Sequence, residues 1–212
     1  FPDTETANKR SCYRLDNCAH TWRRQPVAIH VGAGPSLDRS LADLGKLQTS
    51  WRTCPPGRRQ AVVFATDGAL KPLLAAGIKP EFVTILDEHE VTERFFDGVK
   101  SGNMTLLATA TAFPEAIGHF MDANPRTPND ILFWANANLN TLRQRAMFDF
   151  APEFIPWFPW VRGLTNSVTM MSVALAQRMG IRSHFLVGCD YGVETRPDGS
   201  VKTHCDGFAV DQ

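Results

Sequence analysis

A strand, a glycine turn and a helix follow one another from residue 27, and this stretch constrains the fold most. Residues 27–31 form a short, mostly apolar and β-branched run that is typical of a buried strand. The sequence Gly-Ala-Gly-Pro-Ser follows, and leucines at positions 37, 41, 44 and 47 then recur at helical spacing. Ser36 stands where a helix N-cap is expected. The stretch therefore predicts a strand, a tight turn and an amphipathic helix.

Such a turn favours an anion, usually a phosphate, because it presents backbone N–H groups and the positive end of a helix. The sequence matches neither a P-loop, since no Gly-Lys-Ser/Thr follows, nor the dinucleotide fingerprint, since its third glycine is missing. Gly32 and Gly34 are explained equally well by the tight turn alone. Both interpretations stay open at this point.

Five further apolar runs alternate with helical patterns along the chain, at residues 61–65, 82–86, 104–108, 131–134 and 184–187. This alternation predicts an α/β, Rossmann-like fold with a mostly parallel sheet of about six strands and helices on both faces. We assign residues 26–212 to this domain and the polar residues 1–25 to an N-terminal arm. The chain begins at Phe1, which is compatible with a fragment of a longer protein.

Composition narrows the range of partners and compartments. The chain has 22 basic and 22 acidic side chains, and this balance argues against a nucleic-acid surface. No apolar run approaches the roughly 18 residues of a membrane span. The five cysteines contain no Cys-x-x-Cys pair and favour a reducing, cytoplasmic setting over a disulfide scaffold. The oligomeric state is not indicated.

Polar residues follow the strands at their carboxyl ends, where parallel sheets bind ligands. Besides the glycine turn, they are Asp67, Asp87, Thr109, Asn136 and Asp190. Asp67 and Asp87 suit Mg²⁺ held against nucleotide phosphates, or a ribose; alternatively, each caps the helix that follows. Asp190 could bind a substrate or a metal, or it could only hold the next loop in place.

Two later stretches carry further candidates. Thr165, Asn166 and Ser167 precede a helix and could donate hydrogen bonds to a phosphate or a sugar, or one of them could cap that helix. His204 lies in a polar loop and is a candidate general base, whereas His30 lies inside a strand and is expected in the core. The aromatic stretch 148–162 is either an ordered, packed loop or a wall for an acceptor.

Taken together, the motifs resemble the MptE-like family. They are GAGPSLD at 32–38, ATDGALKPLLAAGIKPEFVTILD at 65–87, NSVTMMSVALAQRMGIRSHFLVGCDYG at 166–192 and KTH at 202–204. The family is named for an archaeal 6-hydroxymethylpterin diphosphokinase and includes bacterial motility accessory factors linked to flagellin glycosylation. The first and last motifs also resemble sialyltransferases that use CMP-sialic acid.

The resemblance implies a nucleotide-dependent transferase, with glycosyl transfer from a nucleotide-activated sugar to a protein or glycan hydroxyl as the most specific expectation. It implies that His204 is the base and that the glycine turn, Gly32, Ala33, Gly34, Pro35 and Ser36, binds the nucleotide. Asp190 is a second catalytic candidate. Asp67-Gly68 is similar to the diphosphokinase branch, which implies a second expectation, Mg²⁺-dependent diphosphoryl transfer from ATP. A non-catalytic nucleotide-binding module is the third.

Overall fold

The computed structural model describes residues 26–52, 60–136, 160–161 and 167–208. The predicted arm at residues 1–25 lies outside these residues, as do Thr165 and Asn166. Of the aromatic stretch 148–162, only residues 160 and 161 are described. The predictions for those segments therefore stay predictions.

Seven parallel strands form the central sheet, in the spatial order β6-β5-β4-β3-β2-β1-β7. They are β1 (Val27–Val31), β2 (Ala61–Thr66), β3 (Phe82–Ile85), β4 (Thr105–Thr109), β5 (Asp130–Asn136), β6 (Trp160–Val161) and β7 (Ser183–Val187). The predicted α/β, Rossmann-like fold is confirmed. The added strand is β6, which is too short at two residues to produce a sequence pattern.

The connecting helices are α1 (Leu37–Arg52), α2 (Asp67–Ala75), a 3-10 helix (Glu90–Phe95), α3 (Pro114–Asp122) and α4 (Val168–Arg178). The pattern of apolar residues at 91–99 predicts a longer helix at this position. The structure has only the 3-10 helix, because the amide and the hydroxyl of Thr92 both bond the carbonyl of His89 and close a tight turn. None of the helices in these described ranges is long and apolar enough to cross a membrane.

Helices cover both faces of the sheet, as predicted. On one face, α1 and α2 pack against alternate residues of β1 and β2, with Ile29 and Val63 among the buried contacts. On the other face, α4 places Met171 and Leu175 against Ala28 and the neighbouring strands. A sheet that is buried on both faces requires the near-continuous apolar runs seen in the sequence.

His30 is the core histidine that its place in a strand predicts. Its side chain is 1% exposed. Its Nδ1 lies 2.5 Å from the hydroxyl of Ser172, and its Nε2 lies 3.0 Å from Nδ1 of His184. Burial, with a smaller contribution from His184, lowers the pKa of His30 to about 3, so the ring is neutral. It ties β1 to β7 and α4.

The direction of the chain reverses at β1. From β1 it runs outward through β2 to β6, then returns through α4 to place β7 on the other side of β1. A crevice forms at the carboxyl ends of the strands where such a reversal occurs. After β7, a short antiparallel hairpin of β8 (Glu194–Thr195) and β9 (Val201–Lys202) follows, and residues 203–208 come back towards this crevice.

Candidate functional site

A cavity of about 390 Å³ opens at the carboxyl ends of the strands around β1. Many of the residues singled out in the sequence line it. They are Gly32, Ala33, Gly34, Asp67, Gly68, Asp87, Ser167, Asp190 and His204. Sequence reasoning missed several other lining residues, among them Phe95, Thr169, Cys189, Tyr191 and Phe208. One hollow therefore joins six separate segments of the chain.

Some predicted residues lie elsewhere. Pro35 is buried, and Ser36 turns its hydroxyl away to Asp190. Asn136 ends β5, which is four strands from β1, or roughly 19 Å at the usual strand spacing. The side chain of Asn136 lies outside the described part of the structure, as do Thr165 and Asn166.

The amides of the glycine turn are already bonded within the protein. The Gly32 N–H donates to the carbonyl of Val187 (2.8 Å), and the Gly34 N–H donates to the carbonyl of Gly188 (2.7 Å). A Cβ at Gly32 would lie 2.6 Å from the Gly188 oxygen, and one at Gly34 would lie 2.6 Å from Oδ2 of Asp190. The two glycines thus allow the segment after β7 to pack against the turn, which supports the steric interpretation over the phosphate one.

Asp190 completes this packing at the N-terminus of α1. One of its oxygens accepts the Ser36 N–H at 2.8 Å, and the other bonds the Ser36 hydroxyl. A carboxylate at this position satisfies a free amide and opposes the positive end of the helix. Asp190 therefore pins the loop to the turn, which is the alternative that its sequence position left open.

Asp67 has the opposite environment. It is the first residue of α2, is 6% exposed, and accepts the Gly68 N–H through Oδ1 at 2.8 Å. Its Oδ2 is buried and has no hydrogen-bond partner among the described residues. Burial above all, reinforced by the nearby charge of Asp87, raises the pKa of Asp67 to about 7. Thr66 holds the N-cap position, so Asp67 is not the helix cap considered above.

Asp87 is exposed and lines the same cavity from the end of β3. Mg²⁺ is commonly held by one or two carboxylates together with substrate phosphates. Asp67 and Asp87 fit that arrangement, because the buried Oδ2 lacks a partner and the two charges act on each other. Within the described ranges, no group of three or more His, Cys, Asp or Glu residues could hold a metal ion. The residues therefore suit a cation that arrives with phosphates.

His204 lies in the loop that closes the cavity. Its Nδ1 is 2.9 Å from the hydroxyl of Thr203, and its ring lies parallel to that of Phe208, with centroids 3.8 Å apart. Nε2 has no hydrogen-bond partner in the part of the chain that the structure describes. This leaves one imidazole nitrogen for a ligand in the cavity.

The loop that carries His204 is fastened to the glycine turn. The Cys205 N–H donates to the carbonyl of Ala33 at 2.8 Å. The Lys202 ammonium bonds Asp38 and lies 2.9 Å from a carboxylate oxygen of Asp206. These two carboxylates raise the pKa of Lys202. Asp38 also accepts the Asp206 N–H at 3.0 Å, so the GAGPSLD and KTH motifs meet through this aspartate.

The N-terminus of α4 differs from that of α1, because it opens on the cavity. Ser167 holds its N-cap position, but its side chain makes no capping hydrogen bond. Its hydroxyl lies 2.5 Å from the hydroxyl of Tyr191 instead. Ser167, Val168 and Thr169 all line the cavity, so the positive end of α4 faces it.

Comparison with solved structures finds the same fold in a Maf glycosyltransferase from Magnetospirillum magneticum AMB-1. The TM-score is 0.60 at 20% sequence identity, and the match covers 97% of this chain. The chain spans 32% of that protein's length. At this identity the likeness shows the fold alone. A search among curated proteins finds no significant match.

A family model described as "6-hydroxymethylpterin diphosphokinase MptE-like" matches residues 5–196, which is most of the chain. The family-level resemblance inferred from the motifs is thereby confirmed. The chain belongs to the MptE-like family.

Proposed function

We propose that this protein is a nucleotide-dependent transferase that moves a glycosyl group from a nucleotide-activated sugar to an acceptor hydroxyl. One observation carries the proposal: the buried Asp67 carboxyl and the imidazole of His204 line a single cavity at the strand reversal, and Oδ2 of Asp67 has no partner among the described residues. Family membership and the fold shared with a Maf glycosyltransferase support it. The acceptor would be a protein or glycan, and a nucleotide made in the cytoplasm would be the donor.

The nucleotide phosphates would bind at the N-terminus of α4 rather than at the glycine turn. The amides of Gly32, Gly34 and Ser36 have protein partners, whereas the side chain of Ser167, at the N-cap position of α4, makes no capping hydrogen bond. Anions bind favourably at open helix N-termini. Asp67 and Asp87 would hold the ribose, or Mg²⁺ that neutralises the phosphates.

His204 would act as the general base. Its Nε2 accepts the proton of the acceptor hydroxyl while that oxygen bonds to the anomeric carbon. The bond from this carbon to the phosphate oxygen breaks, and the nucleotide leaves with the electron pair. The role requires the tautomer in which Nδ1–H donates to the Thr203 hydroxyl, because only then does Nε2 carry a lone pair.

A thermal-shift series with CMP, UDP, GDP and ATP, each with and without Mg²⁺, tests the binding step. A ligand at a hundredfold excess over its dissociation constant stabilises the fold by about 2.7 kcal/mol. Stabilisation by CMP or UDP supports sugar transfer, and no response to any nucleotide contradicts nucleotide binding and with it the proposal. Asp67→Asn should change the response, whereas the control Asp97→Asn, on the exposed surface, should not.

A second experiment tests the base once a donor and an acceptor are known. His204→Ala should retain nucleotide binding and lose about 10²- to 10⁴-fold in turnover. His89→Ala is the matched control, because His89 is exposed and does not line the cavity. Full turnover by His204→Ala would show that the base assignment is wrong.

Diphosphoryl transfer from ATP to a pterin alcohol is the second candidate. The specific observation in its favour is the pair of interacting carboxylates, Asp67 and Asp87, in a chain matched by a diphosphokinase-like family model. This reaction would require Mg²⁺ and release AMP. Mg²⁺-dependent stabilisation by ATP alone, with AMP formed when the pterin alcohol is added, would favour it over sugar transfer.

A further inference from the structure

We propose that Phe208 positions the ring of His204, and that Gly68 lacks a side chain so that Phe208 can occupy this place. The inference rests on the proposed role of His204 as the base. It concerns a residue at the far end of the described chain that no motif singles out.

The contact between the two rings is close and flat. Their centroids are 3.8 Å apart and their planes differ by 2°. Phe208 therefore covers one face of the imidazole, and the Thr203 hydroxyl engages Nδ1 at 2.9 Å. A histidine ring turns about two side-chain bonds. The stack and the hydrogen bond restrict both rotations and leave Nε2 as the nitrogen available to an acceptor.

Phe208 is itself held between α2 and the loop. A Cβ on Gly68 would come within 2.5 Å of Cε2 and 3.2 Å of Cδ2 of the Phe208 ring, which is closer than carbon atoms pack. The Phe95 ring contacts Phe208 from another side, with centroids 5.5 Å apart. The Phe208 N–H donates to the carbonyl of Cys205. Any side chain at position 68 would displace the ring from its present place against His204.

Phe208 touches His204 rather than the reacting atoms, so it is a positioning residue. Its loss should leave nucleotide binding intact and reduce turnover, because a base that is misplaced by about 1 Å can cost about a hundredfold in rate. A merely structural role would instead lower stability and leave the geometry of His204 unchanged. The two roles therefore differ in what they do to the imidazole.

Nuclear magnetic resonance of the histidine ring reads this geometry without any substrate. In the wild-type protein, the ring current of Phe208 should shift the His204 ring protons upfield. Phe208→Leu should abolish that shift, and Phe208→Tyr should retain it. Phe185→Leu is the control, because Phe185 is an exposed phenylalanine that does not line the cavity. Unchanged His204 signals in Phe208→Leu would overturn the proposal.

Substitution of Gly68 is a second, independent way to displace the Phe208 ring from its contact with His204. Gly68→Ala should move the His204 signals in the same direction as Phe208→Leu does. In a Phe208→Ala background, the added methyl group no longer meets the ring and has only the Ala33 Cβ close by, at 3.3 Å, so Gly68→Ala should cause a much smaller further change. Equal changes in the two backgrounds would show that Gly68 does not act through Phe208.

Activity completes the test and separates this inference from the proposed function. Phe208→Leu should lower kcat by about 10- to 100-fold with little change in the KM of the donor, and Phe208→Tyr should restore it. If the His204 signals move but kcat matches that of Phe185→Leu, the positioning role is wrong while sugar transfer stands. If the wild-type protein transfers no sugar, the proposed function fails, and the ring signals alone decide whether Phe208 orients His204.

Discussion

Asp67 and Asp190 follow the two strands that flank β1, yet their surroundings are opposite. Asp190 is exposed, and both of its oxygens bond to Ser36. Asp67 is buried, and one of its oxygens has no partner among the described residues. A carboxylate whose bonds are complete stabilises the fold, whereas a buried, unpaired one costs free energy that a ligand can recover.

The comparison shows that position at a strand end does not distinguish a structural acid from a binding one. The distinction lies in unsatisfied hydrogen-bonding capacity, which depends on partners that are distant in sequence. Ser36 and Asp190 are 154 residues apart. Asp190 therefore holds the turn, and we propose that Asp67 binds the ligand.

The largest effect is expected at Gly188, which holds the Asp190 segment against the turn. Its φ is +65°, and a Cβ there would lie 2.3 Å from the oxygen of Gly32. Gly188→Ala should lower the free energy of unfolding by up to about 6 kcal/mol, from backbone strain and overpacking together. Urea unfolding measures this.

Gly199→Ala is the matched control for Gly188→Ala. Gly199 has a φ of +83°, and a Cβ there would have no atom within 4 Å. Gly199→Ala should then lower the free energy of unfolding by only about 1–2 kcal/mol, which is the cost of the left-handed backbone conformation. Equal losses in the two variants would mean that close packing against the turn contributes nothing.

The next largest effect concerns Asp67 and depends on pH. The pKa of Asp67 rises from 3.8 to about 7 on folding, so the folded protein binds this proton more tightly than the unfolded chain does. Its contribution to stability is therefore complete below pH 3.8 and falls as the pH rises to about 7. Asp67→Asn should be more stable than wild type above pH 7 by up to about 4 kcal/mol.

Urea midpoints measured from about pH 4 to about pH 8 check this. The difference in midpoint between Asp67→Asn and wild type should become smaller as the pH falls. Asp87→Asn should reduce the pH dependence only in part, because burial contributes more than Asp87 does. A constant difference at every pH would show that folding does not shift the pKa of Asp67.

A smaller effect is expected at Asp190. Asp190→Ala should lower the free energy of unfolding by about 1 kcal/mol, as the loss of a helix cap does. Asp190→Asn should lower it by less, because an amide oxygen can still accept the Ser36 N–H. The variant also uncovers the N-terminus of α1. Inorganic phosphate should therefore stabilise Asp190→Ala more than wild type in thermal unfolding. Equal stabilisation would contradict the idea that Asp190 already fills an anion site.

The smallest effect is expected for Ser36→Ala. It should lower the free energy of unfolding by about 0.5 kcal/mol, because the backbone amide of residue 36 still donates to Asp190. Combined with Asp190→Ala, the substitution should cost nothing more, since the hydroxyl then has no acceptor. A double-mutant cycle from urea unfolding measures this coupling. Simple additivity would mean that the Ser36 hydroxyl has another role.

Much of the fold and part of the site are readable from the sequence. Apolar runs mark six of the seven strands, and the parallel arrangement brings their polar ends to one edge. For this reason Asp67, Asp87 and His204 line one cavity, as their positions suggested. Their chemical roles remain proposals.

The rest depends on contacts that no local pattern encodes. The order of the strands places the end of β5 far from β1, so Asn136 was grouped with residues that it does not approach. The glycine turn carries the local signals of a phosphate site, but the segment after β7 occupies its amides. Phe208 lies in no periodic segment, and the single hint of it is the missing side chain at Gly68.

The pairing of β1 with β7 has a consequence for biosynthesis. His30 on β1 and its partner His184 on β7 are 154 residues apart. A ribosome that adds about 5–20 residues per second would leave this edge of β1 unpaired for about 8 to 31 s. During translation this edge of β1 therefore stays bare until β7 has been made, and the crevice between the two strands can form only then.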